Sequence, residues 1–311
     1  MLLILIMTLW SINIIQSLDS SCDYSRINDV EDFVQVRCQG NDSLTDTLKE
    51  ILSNITEPIR IFELRNSVLD ALPDDIFQAT ENAVVEKVVF DNVSLELLSV
   101  PTLGDPPFES VQKTLQHFEV YDSSHVFAWN LSSLSHMQNM KSLIVENSDV
   151  FSLYVPFSVW PALQFVQIIN SRLKWIHPRL LQANQELAIC SFSNNEIRHV
   201  QRSMFPEPAS NLWSLDLSYN WLEWLPENIF SDMDALIELK IDNNQLKEVS
   251  QRVFSPVWNN LTQFWLDGNP FFCSTADWTN GTRDLPLFMD SSRCHMRNKI
   301  VLFDAYFKGY Y

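Results

Sequence analysis

The chain has 311 residues, 46% hydrophobic and 12% aromatic, a composition that folds and does not stay disordered. A formal net charge of −18 and a pI near 4.6 disfavour nucleic acid and anionic lipid, whose binding depends on lysine and arginine displacing counterions. The five glycines, Gly40, Gly104, Gly268, Gly281 and Gly309, are scattered, so no glycine-rich loop is available to cradle a phosphate.

At the N-terminus, Leu2 to Ile15 is apolar but for Thr8, Ser11 and Asn13, and small residues follow at Ser17, Ser20 and Ser21. This pattern reads as a signal peptide over residues 1–20, shorter than the roughly 20 residues of a membrane helix, with the α-amino group as the sole positive charge of its first region. Cleavage after Ser17 and after Ser20 are both open. No second long apolar run follows, and Leu302 to Tyr311 carries Asp304 and Lys308, so the expected product is soluble and extracellular, without a membrane or lipid anchor. Export gives meaning to six acceptor sequons for N-glycosylation, at Asn41, Asn54, Asn92, Asn130, Asn260 and Asn280. It also allows the five cysteines, Cys22, Cys38, Cys190, Cys273 and Cys294, to pair.

From Ile59 onward one template recurs. It is clearest from Leu212, where Leu212, Leu215, Leu217, Asn220, Leu222, Leu225, Pro226 and Phe230 mark its fixed positions. Leu187, Cys190, Phe192, Asn195, Ile197, Val200 and Phe205 fill it upstream; Leu236, Leu239, Ile241, Asn244, Leu246, Val249 and Phe254 fill it downstream. Starts fall at Ile59, Val85, Leu115, Met140, Leu163, Leu187, Leu212, Leu236 and Leu261, with intervals of 26, 30, 25, 23, 24, 25, 24 and 25 residues. The longest interval holds Pro101, Gly104, Pro106 and Pro107, which predicts a loop insertion. Such units bury their apolar faces only by stacking, so the pattern predicts a solenoid of about nine coils.

Within each coil the alternating apolar residues predict a short parallel strand with leucines inward. Asn195, Asn220, Asn244 and Asn269 stand at the turn that follows, where an amide can satisfy backbone groups of adjacent coils. Earlier coils carry Ser67, Val93, Ser123, Ser148 and Ser171 instead, which predicts a less regular N-terminal half. The predicted organisation is a signal segment (1–20), an N-terminal cap (21–58), repeats (59–268, the last merging into the cap) and a C-terminal cap (269–311). Cys22 with Cys38 and Cys273 with Cys294 bracket the two caps, and pairing within each is the economical arrangement. Cys190 replaces an inward aliphatic residue and is expected to be a buried free thiol.

These residues resemble extracellular leucine-rich-repeat proteins with cysteine-rich caps, and the resemblance covers most of the chain beyond the signal segment. It implies an α/β fold: a curved horseshoe with a parallel concave sheet, an irregular or short helical convex side, and disulfide caps. The family's C-terminal cap usually has four cysteines beginning Cys-x-Cys; here Thr275 stands at the second and a fourth is absent, which fits a bond between Cys273 and Cys294. The irregular early repeats and two-cysteine N-terminal cap also resemble a group of arthropod secreted proteins. That group is named for the non-catalytic subunit of the deep-sea shrimp Oplophorus-luciferin 2-monooxygenase, and the resemblance implies an accessory binding role with no oxidation by this chain.

The nine strands make a concave face roughly 40 Å wide at strand spacing. At its middle, Ile144, Phe165, Ile169 and Ile189 converge with Glu119, Tyr121 and Glu146, a pattern expected of a site for another extracellular protein. A register shifted by one residue would turn these side chains inward, and a loop could cover them. Trp175, Trp213, Trp221 and Trp224 form a second aromatic group, assigned to core or flank packing or to a ligand site. The six histidines form no metal-ligand motif, no nucleophile elbow is present, and no cofactor is expected. Catalysis is therefore not expected. A structural matrix component is the alternative to a binding module, and the sequence leaves the oligomeric state open.

Overall fold

The computed structural model describes residues 13–17, 20–27, 32–80, 83–98, 107–129, 134, 136–157, 160–280, 286, 287, 289, 292–296 and 299–308. At the N-terminal end lie β1 (Asn13–Ser17), β2 (Ser20–Arg26), β3 (Val34–Gln39) and α1 (Asp42–Ser53). Next come β4 (Ile59–Ala71), β5 (Ala83–Leu97), β6 (His117–Tyr121), β7 (Ser142–Glu146), β8 (Ser152–Leu153), β9 (Phe165–Ile169) and β10 (Trp175–Ile176). The chain closes with β11 (Ile189–Ser191), β12 (Ser214–Asp216), β13 (Glu238–Lys240), α2 (Gln251–Phe254), β14 (Gln263–Trp265), β15 (Arg293–Met296), β16 (Lys299–Leu302) and α3 (Phe303–Lys308).

Among the described residues the main sheet has twelve strands in the order β1-β2-β3-β4-β5-β6-β7-β9-β11-β12-β13-β14. β1, β2 and β3 are antiparallel, and every pairing from β3 to β14 is parallel. The nine repeat strands are β4, β5, β6, β7, β9, β11, β12, β13 and β14, with eight turns of solenoid between them. Leu215, Leu217, Leu239 and Ile241 are fully buried inside the coil. A coil of about two dozen residues leaves few for the return path, so the convex side is built from turns, 3-10 segments such as Arg202–Met204, and the single helical turn α2. Phe230 and Phe254 of that side meet at 5.6 Å between ring centres, and Phe254 packs inward 5.3 Å from Phe264 of β14.

The Asn and Ser positions do the work expected of them, in different ways. Asn195 donates through Nδ2 to the carbonyls of Ile168, Phe192 and Ser193, and its Oδ1 accepts from the amides of Ser171 and Leu173. Ser148 gives one bond, to the Glu146 carbonyl, and accepts one, from the Ser123 amide. The N-terminal half is nonetheless more extensively paired than expected. β4 and β5 run on past the turn for 13 and 15 residues and stay in register from Ser67↔Val93 to Ala71↔Leu97. Val93 cannot span coils with its side chain, and backbone pairing takes over there.

Both caps close with disulfides, Cys22–Cys38 and Cys273–Cys294. Leu44, Leu48, Ile51 and Leu52 give α1 a buried face that covers the first coil. At the other end the β15–β16 hairpin and α3 cover the last coil, with Phe303 buried 6.0 Å from Phe271. Trp278 packs on Trp258 at 4.8 Å and donates its indole N–H to the Val249 carbonyl. Cys190 is a buried free thiol whose pKa is pushed up by burial, with Asp216 adding to the effect. Of the segment read as a signal peptide, β1 pairs with β2, and either cleavage would remove β1; residues 1–12, Leu18 and Asp19 lie outside the described residues.

Candidate functional site

The parallel register aligns the outward positions of the repeat into rows. Glu63, Val89, Glu119, Ile144, Gln167, Ser191, Asp216, Lys240 and Trp265 are successive partners across the sheet. A second row, from Ile61 through His117, Phe165 and Ile189 to Gln263, lies beside it.

Along these rows the chemistry changes from end to end. At the N-terminal end, Glu63 is only 4% exposed and accepts from Gln35 Nε2 at 2.8 Å, Arg37 Nε at 2.9 Å and Arg65 Nε at 2.6 Å. One coil further, Lys87 Nζ lies 2.7 Å from Glu119, which also accepts from the Tyr121 hydroxyl at 3.0 Å. Burial and the Glu119 carboxylate push the Tyr121 pKa up, keeping the phenol a neutral donor. Burial pushes the His117 pKa down, more than Glu119 pushes it up, and its Nδ1 meets Ser142 Oγ at 2.8 Å. The polar groups of this end are thus engaged with one another. Sequence reasoning missed the network because Arg37 belongs to the cap; the alternation in Val34–Gln39, which turns Gln35 and Arg37 to one face, was the available signal.

The middle differs. Ile144 pairs with Glu119 and Gln167, Glu146 with Tyr121 and Ile169, and Phe165 with Ile189, so the predicted residues form one patch on β6, β7, β9 and β11. Phe165 is 36% exposed, and Ile144, Ile169, Ile189, Tyr121 and Glu146 are half-buried. Glu119 faces the same surface but is buried, its carboxylate committed to Lys87 and Tyr121.

Toward the C-terminal end acidic groups dominate. Asp216 accepts from the Ser218 amide and hydroxyl, and Glu238 pairs with Lys240 at 2.8 Å. Burial pulls the Lys240 pKa down, but the bond to Glu238 and the charges of Glu238, Asp216 and Asp242 raise it overall, and the ammonium lies 4.9 Å over the Trp265 ring. Burial raises the Asp242 pKa.

The flank just past the strands carries a feature the sequence reading overlooked. Asn66, Asn92, Asp122, Asn147, Asn170, Asn194, Tyr219, Asn243 and Gly268, one per coil, all have positive φ. Asn, Asp and Gly tolerate that region, so the residue before each turn position was the signal. Their side chains form a ladder: Asn147 donates to the Asp122 carboxylate, Asn170 to the Asn147 carboxamide at 2.7 Å, and Asn194 to that of Asn170 at 3.0 Å. The tryptophans Trp175, Trp221 and Trp224 are exposed on this flank, where Trp175 meets Tyr154 at 5.2 Å and Trp224 meets His199 at 6.2 Å. Trp213, also exposed, immediately precedes β12.

Of the glycosylation sequons, Asn41, Asn54, Asn92 and Asn280 are exposed. Asn260 is half-buried with its Nδ2 donating to the Asp234 carbonyl at 2.9 Å, and Asn130 lies outside the described residues. Asn92 stands at the end of the concave face and donates to Asn66 at 2.8 Å. Among the described residues there is no group of three or more His, Cys, Asp or Glu placed to hold a metal, and no helix long and apolar enough to cross a membrane.

The family model described as Leucine rich repeat matches residues 210–271, over the most regular coils. The chain has the leucine-rich-repeat fold. A probable glycoprotein hormone G-protein coupled receptor of Anthopleura elegantissima is 29% identical over 94 residues, 29% of this chain and 10% of that protein. Lumican of Gallus gallus is 24% identical over 146 residues, 44% of this leucine-rich-repeat chain and 41% of lumican. The chain therefore spans well under half the length of these relatives. Among solved structures, the TLR13–ssRNA13 complex aligns with a TM-score of 0.60 at 19% identity, over 75% of this chain and 32% of that one. A chain of the octameric complex of Latrophilin 3, Unc5D and FLRT2 (LRR) aligns with a TM-score of 0.53 at 19% identity, over 78% of this chain and 76% of that one. At these identities the likeness establishes the leucine-rich-repeat fold alone.

Proposed function

We propose that the protein is a secreted binding module whose concave face takes another extracellular protein at its apolar centre. One observation carries the reading: polar groups at the N-terminal end of the face bond one another, whereas Ile144, Phe165, Ile169 and Ile189 at the centre are left partly open to solvent. Partly exposed apolar side chains clustered on a curved sheet gain most when a partner excludes water from them. The acidic end, with Asp216, Glu238, Asp242 and Asp267, suits a partner that carries basic residues beside its apolar anchor. The two disulfide-closed caps support an extracellular setting, and the Latrophilin 3–Unc5D–FLRT2 assembly, in which a chain of this fold sits in a complex with other proteins, supports a protein partner.

The role of non-catalytic accessory subunit is the finer form of this proposal, and the sequence resemblance supports it. A matrix component would sediment as self-associated material when freshly secreted, whereas an accessory subunit would co-sediment with one defined partner chain.

The test is the double substitution Phe165→Asp and Ile169→Asp in the secreted protein. If each side chain is a central anchor worth about 2 kcal/mol or more, affinity for the captured partner falls on the order of a thousandfold while secretion is unchanged. Full retention of partner binding by the folded double variant would remove the concave centre from consideration.

A further inference from the structure

On the flank past the strands, a second surface is built differently from the concave face. An open groove of about 540 Å³ runs along five coils, from Asn170 to Gly268. At the coil spacing it is about 20 Å long. One bank is the positive-φ row containing Asn194 and Tyr219; the other holds Arg172, Glu196, Trp221 and Gln245.

The carboxamide ladder stops in this groove. Asn194 donates back to Asn170, but no hydrogen bond among the described residues joins Asn194 to Tyr219. On the far side Asn243 turns its Nδ2 to its neighbour Asp242 at 2.7 Å and does not reach back across the coil. Tyr219 holds φ +54°, a backbone region that Asn, Asp or Gly occupies in the other eight coils. A bulky residue is rare there and persists where something else favours it. Its ring is 55% exposed, and its hydroxyl bonds nothing among the described residues. Across the floor, Trp221 is 38% exposed, and Arg198, outside the groove, stacks its guanidinium 4.8 Å from the ring centre and fixes the ring's plane.

We propose that this groove binds a neutral, extended oligosaccharide, with Tyr219 and Trp221 stacking on sugar faces and the bank carboxamides bonding sugar hydroxyls. Each feature selects that chemistry. Arg172 is paired with Asp149 at 3.2 Å and Glu196 with Lys174 at 3.3 Å, so the groove presents no unpaired charge to a phosphate or sulfate. Apart from the paired Arg172 and Glu196 and from Gly268, its lining is carboxamides and two aromatic rings, with no aliphatic pocket for a peptide side chain or an acyl tail. A pyranose combines the two properties required, an apolar C–H face and a rim of hydroxyls. The step from coil to coil, about 4.8 Å, is also close to the step from one hexose to the next in an extended chain. None of the asparagines that line the groove is a glycosylation sequon, so no N-glycan of the chain is attached to its lining.

The experiment titrates the secreted full-length protein with neutral hexamers of β-linked glucose and of β-linked N-acetylglucosamine, followed by tryptophan fluorescence and calorimetry. At least one hexamer is expected to bind with a change in tryptophan emission. Tyr219→Asn and Trp221→Ala should each weaken it about tenfold, and the Phe165→Asp, Ile169→Asp double variant should leave it unchanged. Tyr219→Asn is safe for folding because Asn holds the same backbone conformation in neighbouring coils. Absence of binding by every hexamer overturns the proposal, as does wild-type affinity in both Tyr219→Asn and Trp221→Ala. A response to a peptide library with none to the hexamers overturns it equally and assigns the groove to peptide.

Discussion

Asn220 shows how much one side chain carries in this fold. Its Nδ2 donates to the carbonyls of Phe192, Leu217 and Ser218, and its Oδ1 accepts from the Ile197 amide, all in the buried interior of the turn. Replacement by Ala leaves those backbone groups without partners, at about 1–3 kcal/mol for each one that water cannot reach. Asn220→Ala is therefore expected to destabilise by about 3 kcal/mol or more in equilibrium denaturation. Asn220→Ser should lose about half as much, because the N-terminal coils already work with one donor and one acceptor at this position. Equal losses in the two variants would mean that volume, and not hydrogen bonding, is what the site requires. Tyr219 poses the opposite case: Tyr219→Asn should stabilise by about 1 kcal/mol by relieving a left-handed backbone that a bulky residue adopts reluctantly.

At the scale of elements, the caps are the places where the solenoid's core would otherwise meet water. The Cys22–Cys38 bridge ties β2 to β3 across a separation of 16 residues, a loop length whose closure stabilises by about 3 kcal/mol. Coils contact only their neighbours, so that contribution is local. With both Cys22 and Cys38 changed to Ser, amide hydrogen exchange is expected to accelerate in β2, β3 and α1 and to stay unchanged in β12, β13 and β14. Acceleration spread evenly over all coils would show that the molecule unfolds as one unit. The strands themselves vary with the turn residue. Where Asn closes the turn, three-residue strands suffice, as in β12 and β13; around Ser67 and Val93 the strands lengthen and the backbone supplies the inter-coil bonds.

The whole molecule is a stack, and its charge and glycosylation are distributed accordingly. The net charge of −18 lies on a surface whose concave N-terminal end is internally neutralised, leaving its concave excess toward β12, β13 and β14. Stacking also predicts tolerance to loss of a unit. Deleting residues 212–235 removes one template length and brings β11 against β13, strands that each already pair in parallel with β12. The shortened chain is expected to be secreted folded, with both disulfides formed and with concave binding retained, but without the Tyr219–Trp221 groove. Intracellular retention, or scrambled disulfides in a peptide map, would show that the coils are not interchangeable modules.

The sequence by itself determined the solenoid, its coil spacing, the inward leucines and the cap pairing, because each of these follows from hydrophobic periodicity and the positions of cysteines along the chain. It also placed Ile144, Phe165, Ile169 and Ile189 in one patch, since a parallel stack with a fixed repeat converts equal offsets into neighbours in space. It did not show that Glu119 would be consumed by Lys87 and Tyr121, nor that Arg37 from the cap would reach Glu63. Those outcomes depend on which long side chains meet across coils, and periodicity is silent on that. The positive-φ row and the groove beside it were decided only by the tertiary structure. A left-handed residue at the end of a strand is a single-residue signal, and only stacking turns nine of them into a ladder with a break at Tyr219.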